Sequence, residues 1–386
     1  MDYLGYKFMR LLLLILGCLF FGGLTAQKKL SGKILIAGTN IPVPSASIFL
    51  SNTSVGTVSK EDGSFSIENF PEGRYDLVVT MLGYSTYIVE INAVRLPDFL
   101  TVQLQPKAKE LQEVIVEGYE KNGWKKWGDF FMQSLIGKTP NAQQCILLNK
   151  EVVRFRFSKK LNRLTAISDE PLLIRNKALG YELKYDLTAF EYNFNTQIFY
   201  YQGFPLFTEI ESSSKRRNKN WERNRQETFQ GSLLHFMRSL YRNQLVQDGF
   251  ELRKIIRKKE PNTRIILNGV HPLTDVNMLV NIPLTGDSIA FAIDSVTAGL
   301  QFSDYLQVVY LHKKMPEQYR LQTRGVSADQ PITAELHMPN ATKVIAVLAN
   351  GSFFMGRDLL AMAYWAWSEK LSNLLPLDYK SSTPKM

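Results

Sequence analysis

The chain has 386 residues, 45% of them apolar and 21% charged. That balance excludes an intrinsically disordered protein and suffices for two domains, each with its own core. Lys and Arg total 46 against 36 Asp and Glu, a formal net charge of +10, which favours anionic surfaces such as lipid headgroups, acidic glycans or nucleic acid.

The N-terminus reads as a secretory signal peptide over residues 1–26. Lys7 and Arg10 precede the apolar run Leu11 to Leu16, and small residues lead to a polar start at "LTAQKK". Cleavage is expected after Ala26. The run is too short, and too closely followed by Gly22 and Gly23, to span a membrane, and no transmembrane span is expected in the mature chain. Ile15-Leu16-Gly17-Cys18 resembles a lipoprotein box, so lipidation at Cys18 is the alternative, although the residues after Cys18 stay apolar. With Cys18 removed, Cys145 is the one thiol left and no internal disulfide can form. Its neighbours Ile146, Leu147 and Leu148 predict a buried, inert cysteine.

From Leu30 to Leu104 about seven short strands are expected, at the spacing of a sandwich or small barrel. Asp62-Gly63 and Pro71-Glu72-Gly73 mark turns between them. Leu100, Val102 and Leu104 alternate with polar residues, the period of a strand with one buried face. In combination Gly32, Pro44, Ala46, Gly56, Asp62-Gly63-Ser64-Phe65, Pro71, Gly73 and Leu82-Gly83-Tyr84 resemble the carboxypeptidase-regulatory-like domain, over roughly residues 28–105. The resemblance implies a prealbumin-like β-sandwich in a secreted bacterial protein. It also implies a non-catalytic binding or spacer module, of the kind that precedes TonB-dependent outer-membrane receptors.

Residues 27–106 are thus expected to form the sandwich and 107–123 a linker or last edge strand. Glu110 to Gly118 is similar to the segment that follows this domain in receptor chains, and an exposed strand there would offer itself to a partner by edge pairing. The second domain is expected over 124–379, with a tail at 380–386. Trp124, Trp127, Phe131 and Leu135 fall on one face of a helix, with Asn122 able to cap its start and Gly137 its end.

Seven strands are expected between Val152 and Ser212. Among them Tyr181, Leu183, Tyr185 and Leu187 alternate with Glu182, Lys184 and Asp186. "TFQGSLLHFMRSLYRNQLVQDG" predicts a helix, further strands follow, and "DLLAMAYWAWSEKLSNLLP" predicts an amphipathic helix ended by Pro376. The expected class is α+β, an antiparallel sheet with flanking helices. Trp124 to Tyr379 also resembles the portion that follows the sandwich in a group of carboxypeptidase-regulatory-like proteins of unknown function, which implies no activity.

Catalytic motifs are not found. His235, His271, His312 and His337 begin no zinc motif, so the metallocarboxypeptidase chemistry lacks its ligands. Gly137-Lys138-Thr139 ends like a phosphate-binding loop, but Met132 stands where its first glycine belongs. No Gly-x-Ser-x-Gly elbow occurs. Asp294 and Asp304 are scattered carboxylates with no sequence signal for pairing. Asp287-Ser288-Ile289 and Asp294-Ser295-Val296 look like an O-glycosylation acceptor of some envelope proteins, a pattern short enough to arise by chance.

The sharpest surface feature is "SKRRNKNWERNRQ". Lys215, Arg216, Arg217, Lys219, Arg223 and Arg225 surround Trp221 and face one acid, Glu222. A solvated loop or helix start is the plain reading. An anion-binding patch for lipid headgroups or acidic glycan, with Trp221 as its anchor, is the functional one. The sequence therefore leads to a non-catalytic cell-envelope binding or scaffold protein, in the periplasm or at the outer membrane, that uses no cofactor and binds no nucleic acid. Its partner would be an envelope protein, an outer-membrane receptor among them, or an acidic glycan or lipid. The alternative is an envelope hydrolase whose active site leaves no motif.

Overall fold

The computed structural model describes residues 28–107, 118–261, 273–323, 325–353 and 358–381. The signal segment, with Cys18 and Ala26, and most of the segment from Glu110 to Gly118 lie outside these residues. The first seven strands are β1 Leu30–Ile36, β2 Ser47–Leu50, β3 Gly56–Val58, β4 Ser64–Ile67, β5 Arg74–Thr80, β6 Tyr87–Asn92 and β7 Leu100–Leu104. They form two facing sheets, β4-β1-β7 and β3-β2-β5-β6, as a sandwich does. Their alternating apolar residues meet between the sheets, where Leu30, Ile34, Ile48, Leu77, Val102 and Leu104 are fully buried. β1 and β7 run parallel, with Gly32 beside Leu100. A Cβ at Gly32 would stand 2.2 Å from the Leu100 carbonyl oxygen, so only glycine lets the strands close.

The second part of the chain is α+β, with antiparallel sheets, and is organised around two cores. The first core belongs to a six-stranded sheet: β8 Cys145–Leu147, β9 Val153–Ser158, β10 Arg163–Ser168, β11 Leu172–Asn176, β12 Tyr181–Asn193 and β13 Ile198–Glu209. Tyr181, Leu183, Tyr185 and Leu187 are buried as the alternation predicts. Two pairs of expected strands prove to be single long ones. β12 and β13 pair along their whole length, with a register shift between Leu187 and Ala189 where a strand break had been expected. Helix α1, Gly123–Leu135, lays Phe131 and Leu135 into this core, though the Asn122 side chain makes no capping bond.

The second core fills a five-stranded antiparallel sheet and a smaller three-stranded one. The larger is ordered β15-β14-β18-β19-β21, from β14 Phe250–Pro261, β15 Leu273–Leu284, β18 Tyr305–Lys314, β19 Pro331–His337 and β21 Leu360–Ala363. The smaller comprises β16 Ala290–Asp294, β17 Thr297–Leu300 and β20 Ile345–Leu348.

Two helical expectations are corrected. The helix read from Thr228 is broken at Gln230 and Gly231: helix α2, Lys215–Phe229, ends there, and α3, Leu233–Tyr241, begins with Ser232 as its cap. Gly231 has φ of +76° and its Cα lies too near the Tyr310 ring for a side chain, which ends one helix against the sheet. The closing helix is broken up along its expected span. Leu360–Ala363 instead pairs with the open edge of β19, and the helical pieces there are the short α5, Tyr364–Ser368, and a 3-10 turn at Leu371–Asn373. Helix propensity is a weak preference, and an unpaired strand edge overrides it. The remaining helix, α4, spans Glu317–Gln322.

The sandwich and the second part are joined through side chains on the outer face of β2 and β5. Phe49 and Val78 pack against Phe204 and Leu206 of β13. The Thr53 loop extends this contact by backbone bonds, Asn52 N–H to the Pro205 carbonyl (2.8 Å) and Phe207 N–H to the Thr53 carbonyl (2.9 Å). Near the C-terminus Leu377 enters the sandwich core, and its N–H donates to the Asn52 carbonyl. The sandwich face is therefore filled from within the chain. Truncating Phe204 to Ala should cost about 3 kcal/mol of stability through the cavity left between the two units. Equilibrium denaturation would measure the loss, and limited proteolysis should then release the sandwich first.

Candidate functional site

Helix α2 carries the basic stretch and sorts its residues by face. Lys215, Arg216, Arg217, Lys219 and Arg223 are exposed, whereas Trp221 and Arg225 turn inward with Phe229, four residues apart on one side. The Trp221 Nε1 donates to the Lys177 carbonyl at 2.9 Å. Its ring covers Gly180, whose φ of +70° and whose Cβ position 2.3 Å from the indole admit only glycine. Arg225 donates to the carbonyls of Leu179 and Gly180, pairs with Glu209, and lies 3.9 Å from the centre of the Tyr181 ring. Trp221 is therefore the helix's anchor in the protein, not an anchor at an external surface, and Arg225 is likewise withdrawn from the patch.

What remains outside is a concentrated cation cluster. Lys215, Arg216 and Arg217 occupy the first turn of α2, capped by Ser214, with no acidic residue there. Cations at a helix N-terminus oppose the helix dipole, at roughly 0.3–1 kcal/mol each. Among the described residues these three and Lys219 make no ion pair, while Arg223 has Glu227 at 3.8 Å. An anion placed at this turn would satisfy both the dipole and the side chains.

The other end of α2 lines a recess of about 220 Å³. Asn224, Glu227 and Thr228 form one wall, and Asn141, Asn373 and Glu369 face them. Asn141 Nδ2 donates to both Thr228 Oγ1 (3.0 Å) and Asn373 Oδ1 (2.9 Å). Thr139, from the Gly-Lys-Thr triplet, is buried here against Ser372 at 3.1 Å. Lys313 donates to the Glu227 carbonyl at 2.6 Å, and burial draws its pKa down. The Glu369 carboxyl accepts the Leu233 N–H at 3.2 Å, at the start of α3. Burial raises its pKa to about 7, with the bonds from Leu233 and Ser368 opposing the rise. The residue retains some exposure, but the carboxyl itself sits among dense protein. The recess thus offers amides, hydroxyls and one carboxyl able to hold or release a proton near neutrality.

The remaining candidates are dispersed. His235 is buried against Phe229, Phe250 and Tyr310, and burial lowers its pKa to about 4. His312 packs on Tyr310, and His337 stacks on Tyr305 at 4.2 Å. His271 lies outside the described residues. Cys145 is partly buried and its thiol is pushed up to about 12. Asp294 accepts the Val296 N–H in a hairpin turn, and Asp304 pairs with Lys254 at 2.7 Å. Ser288 is engaged by Thr285, while Ser295 is exposed in that hairpin. Among the described residues no group of three or more His, Cys, Asp or Glu is arranged to hold a metal. The recess was not legible in advance, because its walls come from four separated segments of sequence without a shared motif.

The comparisons with known proteins bear chiefly on the sandwich. Residues 30–116 match the CarboxypepD_reg-like domain, and this part of the chain is such a domain. A TonB-dependent receptor of Formosa agariphila is 31% identical over 109 residues, which are 28% of this chain and 10% of the receptor. The chain thus spans about a tenth of the length of that curated relative. A type II cohesin–X–dockerin complex of Acetivibrio cellulolyticus aligns over 20% of this chain and 51% of its own, at 20% identity and a TM-score of 0.16. A Bacteroides fragilis protein of unknown function, described as membrane-associated, aligns over 87% of this chain and 93% of its own, at 9% identity and a TM-score of 0.17. Scores that low carry no argument about fold or function. Among the described residues no helix is long and apolar enough to cross a membrane.

The Glu369 carboxyl gives a pH prediction. Its folded pKa of about 7 stands above the ordinary 4.5. Its contribution to stability is therefore full below pH 4.5 and is lost as pH rises through about 7. Glu369→Gln keeps an acceptor for Leu233 but does not titrate. The stability of the wild type relative to this variant should fall steadily between those limits and then level off. Lys370, lowered by burial to about 8 and raised in turn by the Glu369 charge, titrates at the top of this series, so the slope from pH 5 to 7 carries the test. Denaturation midpoints of the pair at pH 5, 6, 7 and 8 would measure it, and a flat difference would place the carboxyl's pKa at its ordinary value.

Proposed function

We propose that the protein is a non-catalytic binding or scaffold protein of the bacterial cell envelope, exported by its N-terminal signal and held at an anionic surface by helix α2. The observation that carries this reading is the unpaired first turn of α2. Lys215, Arg216, Arg217 and Lys219 are exposed and oppose the helix dipole, while Trp221 and Arg225 fix the helix to the body of the protein. A rigid base makes such a cluster a better anion site than a free loop, because the backbone is already ordered before binding.

The similarity to a TonB-dependent receptor supports an address in the envelope and an outer-membrane partner. The sandwich contributes as a spacer whose outer sheet face is already occupied by β13. A partner would then meet its connecting loops, where Leu82, Val94 and Phe99 are exposed. Acidic glycan and lipid headgroups both match the charge of α2.

The second reading, an envelope hydrolase, rests on Glu227 and Glu369 lining one polar recess with Glu369 near neutrality. The Ser368 hydroxyl that meets the Glu369 carboxyl is buried and its bond is long, at 3.4 Å, which favours binding. Hydrolysis of glycosides or esters by the wild type, lost in Glu369→Gln, would establish the enzyme.

Replacing Lys215, Arg216 and Arg217 together by Ser should weaken attachment to phosphatidylglycerol vesicles or to an acidic glycan by about 100-fold, at roughly 1 kcal/mol per charge. The loss should be greatest at low salt, where screening is least. Sedimentation and glycan-binding assays check this, and unchanged binding in both would remove the helix from consideration.

A further inference from the structure

A second opening, distinct from the polar recess, lies on the other side of Trp367. It is a cleft of about 490 Å³, within the range of small-molecule sites. It runs between the layers that belong to the two cores of the second part, the kind of boundary where binding sites concentrate.

One wall is aromatic and comes from the six-stranded sheet and α1. Phe130 meets Tyr192 edge to face at 4.8 Å, and Phe199 continues the wall. Across from it stand Tyr319 and Trp367, their ring centres 5.5 Å apart. Phe130, Tyr192 and Trp367 are part-exposed at this wall, whereas Tyr319 is buried in the core behind it and Phe199 already stacks on Tyr201. The indole Nε1 of Trp367 is buried without an acceptor among the described residues, an unmet donor at this wall.

The cleft's charge is of one sign. Lys138 and Lys370 line it, and no carboxylate does. Lys138 is exposed and makes no ion pair among the described residues. Lys370 is held 4.7 Å from the centre of the Phe199 ring, with the Glu369 carboxylate, outside the cleft's lining, as its neighbouring charge. Gln133, Ser134 and Thr323 complete the lining with amide and hydroxyl groups. Aromatic faces, neutral hydrogen-bonding groups and two cations together suit a ring-shaped polyol that bears negative charge.

We propose that this cleft binds an anionic saccharide, with a sugar ring against the aromatic walls and its carboxylate or sulfate served by Lys138 and Lys370. The site is separate from the first turn of α2 and does not require it. The sugar's apolar face displaces water from the rings, and the anion replaces Phe199 as the partner of Lys370.

The test is calorimetric titration of the full chain with three oligosaccharides of equal length: a galacturonate trisaccharide, a sulfated galactose trisaccharide and neutral galactotriose. Binding of either anionic sugar at least tenfold tighter than the neutral one is expected, and which of the two binds identifies carboxylate or sulfate as the recognised group. Lys138→Ala and Lys370→Met should each weaken that binding by about tenfold, the usual loss for one charge-assisted contact. Lys138 is exposed, so its variant folds even if Lys370→Met does not. The triple Ser variant of residues 215 to 217 should bind the trisaccharide as the wild type does. Equal affinity for charged and neutral sugars, no binding of either anionic sugar, an unchanged affinity in Lys138→Ala, or loss in the triple variant instead, would each overturn the proposal.

Discussion

The architecture depends on one buried guanidinium. Arg238, on α3, donates to three backbone carbonyls: Asn350 from Nε (2.9 Å), Tyr379 from Nη1 (2.9 Å) and Leu377 from Nη2 (3.0 Å). It is buried and has no carboxylate partner among the described residues. Five donors in a rigid fork allow such a group to be satisfied by carbonyls alone. Its position is what matters. Phe236 and Met237 beside it belong to the core of the five-stranded sheet, the Phe229 ring 5.5 Å away to that of the six-stranded sheet, and Leu377 to the sandwich. One side chain thus stands where three cores meet.

This arrangement decides what each part is free to do. The segment Leu377 to Tyr379 is held by Arg238 on one side and by the sandwich loop at Asn52 and Ser54 on the other. With the β13 contact, it commits the sandwich's broad face to the rest of the chain. Binding then falls to surfaces the cores leave open: the cationic turn of α2, the polar recess at its far end, and the aromatic cleft beyond Trp367. All three are positioned by neighbouring segments, since α2 lines the recess and Trp367 walls both openings.

The sandwich was legible in the sequence because every signal agreed. Turn glycines such as Gly63, alternation in Leu100 to Leu104, and the family resemblance carried by residues such as Gly32 and Gly56 all specify the same strands. The second part was legible in class but not in detail. Alternation identified Tyr181 to Leu187 as a strand, yet could not show that it continues to Asn193 through a register shift. The run Leu359 to Leu375 has helical composition, and only the free edge of β19 explains why Leu360–Ala363 is extended. The basic stretch was visible as charge. That Trp221 and Arg225 point inward depends on Gly180, over forty residues earlier, which no local pattern links to them. The recess and cleft are assembled from residues far apart in sequence, and that kind of site leaves no spacing to read.

Arg238 couples the three cores into one cooperative unit. Arg238→Met preserves most of the stem's volume but removes the donor from one buried carbonyl, Leu377, at about 1–3 kcal/mol, and from two part-buried ones, Asn350 and Tyr379, at less. Denaturant unfolding of this variant should be followed by tryptophan fluorescence and by hydrogen exchange resolved to the sandwich and the two sheets. In the variant the sandwich should unfold at lower denaturant than the rest, while the wild type shows a single coincident transition. A variant that unfolds in one coincident step at the wild-type midpoint would contradict it.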